Sequence, residues 1–346
     1  PSNDPSVVSM VRRATLLSLA ALALVAVSAV GFGVANIAPL DLLAIIGKSL
    51  FGLPVGSEIS AGATSIVMDI RLPRILAAIA VGAALATSGA AFQSLLRNPL
   101  ADPYVLGTSS GAALGAAIAF LVPITGVAWE LGGVQLAAFV GALASVALVW
   151  RIGGIGSGEE RIASVLLVGY AVASLLAAAL SLVMLASGAN LRAIFGFLLG
   201  GLDGVTWPRL AAAAVPVALA TLLLARRGRA LAAFLLGDEG ATHLGIDVRR
   251  ERRIAVALAT LATASAVALA GLVGFVGLVV PHLARLAVGS DPRAVLPLSA
   301  IGGALLLLLA DTVARTISVP VGVITALIGA PFLLWLLHRA RAGYAL

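Results

Sequence analysis

The chain has 346 residues, 61% of them hydrophobic and 11% charged, with a mean hydropathy of +1.13; a soluble domain carries about 25% charged residues. This excludes a soluble globular domain, and the lack of short alternating strands excludes a membrane β-barrel, which leaves an all-α polytopic membrane protein. There is no cysteine for disulfides or thiolate metal sites, and the net charge of +7 sits at the ends of apolar runs, where it reads as membrane topology and not as a nucleic-acid surface.

In chain order, Arg12-Arg13 lead an apolar run to about Gly33. That run is longer than the 7–15 apolar residues of a signal peptide, so an uncleaved first span is expected. Residues 36–70 contain Pro39, Pro54 and several glycines and read as a loop with a short surface helix near Leu40–Leu50. From Arg71 to Gly115 a membrane hairpin is expected. Pro73 suits a first helical turn, Ile75 to Ala91 is rich in Ala, Leu and Gly, and Asn98-Pro99 ends the helix. Spans are expected at about 72–93, 104–122, 132–150, 162–185, 208–225, 254–272, 274–288, 294–313 and 321–338, ten with the first. The eighth is short and interrupted by Pro281. With the N-terminus inside, sixteen basic residues fall inside; six, Lys48, Arg71, Arg74, Arg192, Arg209 and Arg315, fall outside. This bias places both termini in the cytoplasm.

Small residues at four-residue spacing (Gly82, Ala86, Ala90; Gly107, Gly111, Gly115; Gly196, Gly200, Gly204) predict close helix packing. Asp102-Pro103 leading to Gly111 is weakly echoed by Asp291-Pro292 leading to Gly302, the pattern of an internal duplication. Arg226 to Arg253 is the one sizeable polar loop on the inner side. Gly237 breaks its apolar stretch, and Asp238-Glu239 suit the first turn of a short helix ending near Leu244-Gly245. Such a helix is either a knob for a partner or an interfacial helix.

Catalytic signals are missing. Gly47-Lys48-Ser49 lacks the leading glycine of a phosphate loop, the three histidines are far apart in sequence, and no cofactor site is expected. His282, beside Pro281, reads as structural. Asp311 and Arg315 are spaced as an i,i+4 pair. No carboxylate falls near mid-span, which argues against an ion-coupled carrier.

The motifs RLPR at 71–74, VGAALATSGAAFQ at 81–93, RNPLADPYVLG at 97–107, GFVGLVVPHLAR at 274–285, LLLADTVAR at 307–315 and PVGVITALIGAP at 320–331 together resemble the FecCD type of ABC importer permeases, the iron-chelate and cobalamin family. The resemblance implies a homodimer of ten-helix subunits in the bacterial inner membrane. Two ATP-binding subunits would sit inside, and a periplasmic substrate-binding protein outside. It implies that Arg71, Arg74 and Arg315 receive acidic groups of the binding protein, so that Arg71→Glu with Arg74→Glu weakens docking in a folded permease. It also implies that Asp238, Glu239, Ala241, Leu244 and Gly245 form the ATPase-coupling helix. The inner gate would use Asn98 and Leu100, joined by position only by Ile162 and Ala163. The substrate expected is an iron-bearing chelate, with haem ahead of ferric siderophore or cobalamin because Arg192 and Arg209 on the outer side would attract propionates. An ion-coupled secondary transporter is the alternative. Val319-Pro320-Val321-Gly322 is about four residues shorter than the family pattern, from either a trimmed outer loop or a gap.

Overall fold

The computed structural model describes residues 5–33, 37–52, 60–122, 132–153 and 159–341; among them there are helices and turns and no strand. Eight helices are long and apolar enough to cross a membrane, and three shorter apolar ones accompany them. We number the helices α1 (Pro5–Gly31), α2 (Pro39–Phe51), α3 (Ala61–Leu95), α4 (Thr108–Leu121), α5 (Gly133–Gly153), α6 (Glu159–Ala186) and α7 (Leu191–Leu199). Then come α8 (Trp207–Arg226), α9 (Gly228–Phe234), α10 (Gly237–His243), α11 (Val248–Ala270), α12 (Val276–Val288), α13 (Pro292–Thr316) and α14 (Val321–Arg341). All ten expected spans are helical, but those expected at 104–122 and 274–288 are the short helices α4 and α12.

Helix α3 is the hub. In its most apolar stretch 78% is buried, against 11% for α1 and α6, and α8, α11, α12 and α13 all pack against it. Small side chains make this possible. A Cβ added to Gly82 would meet the Gly303 carbonyl oxygen at 2.1 Å, and one on Gly89 would meet that of Gly277 at 1.8 Å. Backbones this close gain dispersion contacts that lipid tails cannot supply. Gly111 and Gly115 approach Gly141 and Ala137 of α5 in the same way. The third predicted stripe is different: a Cβ added to Gly196 would meet nothing within 4 Å, and Gly200, at φ 68, ends α7.

Residues 61–70, expected in a loop, are helical. Helix α3 passes through a π segment, Ile66–Arg71, just before Pro73. Proline has no N–H to donate and its ring crowds the carbonyl four residues back, so the wider turn lets the helix run through it. The Met68 carbonyl accepts the Trp207 indole N–H at 2.9 Å.

At its other end α3 stops at Arg97, which takes a left-handed conformation (φ 49) while the Asn98 N–H reaches back to the Gln93 carbonyl. The chain then folds back into the bundle. Gly277 lies against both Pro103 and the Leu85 carbonyl, and Leu85 is about 15 Å up the helix from Leu95. This return explains why α4 is short. Irregular backbone at that depth must be satisfied by protein. The Tyr104 hydroxyl donates to the Val273 carbonyl (2.9 Å), and Gln93 Nε2 donates to Ala101 (3.2 Å) and Gly277 (3.3 Å). Asp102 is therefore carried to mid-bundle depth, contrary to the expectation that no carboxylate lies there; it accepts the Tyr104 N–H at 2.8 Å. Asp291 makes the same turn with the Arg293 N–H, but its helix begins at once, so the two Asp-Pro turns match locally and differ in depth. The Arg293 guanidinium also holds the Asp291 carboxyl below the usual carboxylate range.

Candidate functional site

The two ends of the bundle carry different chemistry. At one end, Arg71 and Arg74 on α3 and Arg315 near the end of α13 come together with the last turn of α1. The Arg71 Nη1 donates to the Val30 carbonyl (2.6 Å) and the Gly31 carbonyl (3.2 Å), and Arg315 donates to Ala29. Those carbonyls are among the four that an α-helix leaves unpaired at its C-terminus, and cations there also favour the helix dipole. Arg74 Nε lies 3.0 Å from both carboxylate oxygens of Asp311, and its Nη1 pairs with Asp203.

Asp311 thus gives its carboxylate to Arg74 on another helix, not to Arg315 one turn along, as its spacing predicted. The Asp311 side chain is fully buried and that of Asp203 is 74% exposed. A buried carboxylate needs a bidentate guanidinium, and Arg74 reaches it from the hub helix in that geometry. Arg315 keeps Nε and Nη1 buried without a hydrogen-bond partner. Three guanidiniums against two carboxylates leave the cluster positive. Sequence spacing did not point to Asp203 or the α1 carbonyls, since each lies far along the chain from its partner.

The turn after Arg315 is tight. Ile317 to Pro320 join α13 to α14, Ser318 is at φ 56, and the Val319 N–H bonds the Ala314 carbonyl at 2.9 Å. The segment that falls short of the family pattern is a four-residue connection between the two helices.

At the opposite end, α9 and α10 form the polar module read at 226–253. Leu231, Phe234 and Ala241 are buried, while Leu235, Leu236 and Leu244 are 43%, 66% and 62% exposed. Asp238 pairs with Arg252 at 2.6 Å, and Glu251 pairs with Arg227 at 2.7 Å, which ties the module to α11. Gly245, at φ 77, takes the turn after α10, and Glu239 sits in that helix's first turn. The Asn98 Oδ1 accepts the Leu100 N–H at 2.9 Å, fixing the turn after α3. Ile162 and Ala163 fall in the first turns of α6, and their side chains lie outside the described residues.

Arg192 is exposed near the start of α7. Arg209 donates to the Gly204 carbonyl at 2.9 Å and lines a cavity of about 280 Å³ between α5, α8 and α11 with Gln135, Phe139 and Pro216. Among the described residues no group of three or more His, Asp or Glu has metal-ligand geometry.

With this geometry in place, the comparisons with known proteins are decisive. The sequence profile of the FecCD transport family matches residues 16–339. The chain belongs to the FecCD transport family. It is 41% identical over 290 residues to the cobalamin import system permease protein BtuC of Halobacterium salinarum, covering 83% of this chain and 76% of the relative. It is 40% identical over 280 residues to the hemin transport system permease protein HmuU of Yersinia pestis, covering 79% and 83%. A solved inward-facing structure of a metal-chelate type ABC transporter superimposes with a TM-score of 0.81 at 28% identity, covering 95% of this chain and 99% of that one. In this FecCD permease the hub helix carries RLPR at one end and the Gln93–Asn98 turn at the other.

Proposed function

We propose that the chain is the membrane permease subunit of an ATP-driven importer for an iron-bearing chelate, with ten spans and both termini cytoplasmic. It works as a homodimer with two ATP-binding subunits and a periplasmic binding protein. The observation that carries this reading is the family match along residues 16–339 of a chain whose charges are segregated to the two ends of one hub helix. Arg71, Arg74 and Arg315 form the outer docking cluster, where Arg315 still has N–H donors to offer an incoming carboxylate. Charge at such a contact sets encounter and register more than raw affinity. The exposed leucines that flank α10, Leu235, Leu236 and Leu244, enter the ATPase surface, with Asp238, Glu239, Ala241, Leu244 and Gly245 as the coupling helix. Closure there moves the helices as near-rigid bodies and switches access past Asn98, Leu100, Ile162 and Ala163.

Within the substrate class we favour haem. Identity does not choose, since a cobalamin and a hemin relative are equally similar. The lean rests on Arg192 and Arg209 as outer pathway charges for propionates. A spectral titration of the cognate binding protein with haem, ferric siderophores and cobalamin tests it, and saturation by cobalamin alone overturns it.

An ion-coupled carrier is the second reading, favoured by the mid-depth position of Asp102. Proteoliposomes containing the permease, its ATPase and its binding protein separate the two. Vanadate-sensitive, ATP-dependent uptake that survives Asp102→Asn supports the importer. Uptake by the permease alone under a proton gradient supports the carrier.

A further inference from the structure

The Arg74 guanidinium faces two carboxylates at once. Its Nε lies 3.0 Å from both Asp311 oxygens and its Nη2 2.8 Å from one of them, while Nη1 pairs with Asp203. Only 9% of Arg74 is exposed, so a carboxylate arriving from solvent finds the fork already covered.

The two carboxylates are not equivalent. The Asp311 side chain is fully buried on α13, whereas that of Asp203 is 74% exposed. Asp203 stands in the connection between α7 and α8, and the chain on each side of it is fixed. The Gly201 N–H donates to the Ala270 carbonyl at 2.8 Å, and Leu202 is buried. Beyond Asp203, Arg209 holds the Gly204 carbonyl at 2.9 Å, and the Trp207 indole donates to Met68 on α3 at 2.9 Å. The backbone thus sets an exposed acid against Arg74, and side-chain rotation alone removes it. An exposed ion pair is weak, because water screens the attraction and two side chains lose freedom to form it. A buried bidentate pair cannot be exchanged without stranding a charge. Asp311 therefore holds Arg74 in place, and Asp203 occupies the donor that remains.

We propose that Asp203 is a resident competitor for Arg74, displaced by the acidic group of the docking protein, and that it sets how strongly this face takes that partner. The exchange rests on the docking role proposed above for Arg71, Arg74 and Arg315. It keeps Arg74 neutralised while the face is empty. It also leaves the guanidinium preorganised when a carboxylate arrives, since Asp311 does not let go.

The test is association of the full-chain permease, in nanodiscs, with its cognate binding protein. At about 0.15 M salt, charges more than roughly 8 Å away are largely screened. Asp203→Asn is expected to tighten association about two- to fivefold, the release of one exposed ion pair, at an unchanged unfolding temperature. Asp203→Glu keeps a carboxylate within reach and should bind like the wild type. Asp69→Asn removes an equal charge from an exposed residue that accepts from Ser65, not from Arg74, and should change association less than about twofold. In a background of Arg74→Gln with Asp311→Asn, which removes the buried pair together, adding Asp203→Asn should change nothing. Unchanged or weaker association of Asp203→Asn, equal tightening by Asp69→Asn, or tightening that persists without Arg74 overturns the proposal. Arg315→Gln tells the two readings apart. If it weakens association while Asp203→Asn is silent, docking stands and the exchange fails; if neither variant alters association, the docking reading falls and the exchange with it.

Discussion

Arg74 is the residue whose structural role conflicts with the docking role proposed for it. It neutralises Asp311, so Arg71→Glu with Arg74→Glu does not test docking cleanly: it would set new carboxylates beside a buried one. Asp311→Asn removes a fully buried partner and should cost about 3–5 kcal/mol, whereas Asp203→Asn, at an exposed position, should cost under about 1 kcal/mol. Thermal unfolding of the two variants in detergent checks the ranking, and equal losses would refute it. Docking is better probed by Arg315→Gln, which should weaken binding-protein association at low salt more than at high salt in a pull-down. The glycines make an equally sharp pair. Gly82→Ala drives a Cβ into the Gly303 carbonyl and should cost at least about 1–3 kcal/mol, while Gly196→Ala meets open space inside a helix and should gain up to about 1 kcal/mol.

Among the elements, α9 and α10 divide into a buried side that holds them and an exposed side free to meet a partner. Leu231→Ala should destabilise by about 2–5 kcal/mol, because Leu231 is fully buried. Leu244→Asp, at 62% exposure, should leave the unfolding temperature near that of the wild type while ATP hydrolysis proceeds without uptake. Coupled uptake at the wild-type rate would remove α10 from the coupling role. The Gln93 side chain joins two other segments, the turn after α3 through the Ala101 carbonyl and α12 through the Gly277 carbonyl and Arg285. Gln93→Ala should lower stability by about 1–3 kcal/mol, through buried carbonyls left without a donor. Cap and breaker residues located α10 and the end of α3, while the interruption expected at Pro281 does not occur, since α12 runs through it. The same cues misplaced the start of α3, because a proline that looks like a helix start can also be passed by a π turn.

On the scale of the whole molecule, the hub helix links the two ends. About 1.5 Å of rise per residue sets Arg74 roughly 30 Å from Leu95, the thickness of a hydrocarbon core. The basic cluster at one end and the polar module of α9 and α10 at the other are thus tied to one helix, an arrangement that suits the alternating access proposed above. Composition determined the membrane class, and arginine placement divided the charges between two sides, because a charge in hydrocarbon is costly wherever the chain puts it. The motifs were enough to identify the family. Only the tertiary structure decided which carboxylate Arg74 holds and that the segment after Asn98 returns to mid-depth. Those facts join residues up to 237 positions apart, and local spacing carries no information about contacts made by packing at that distance.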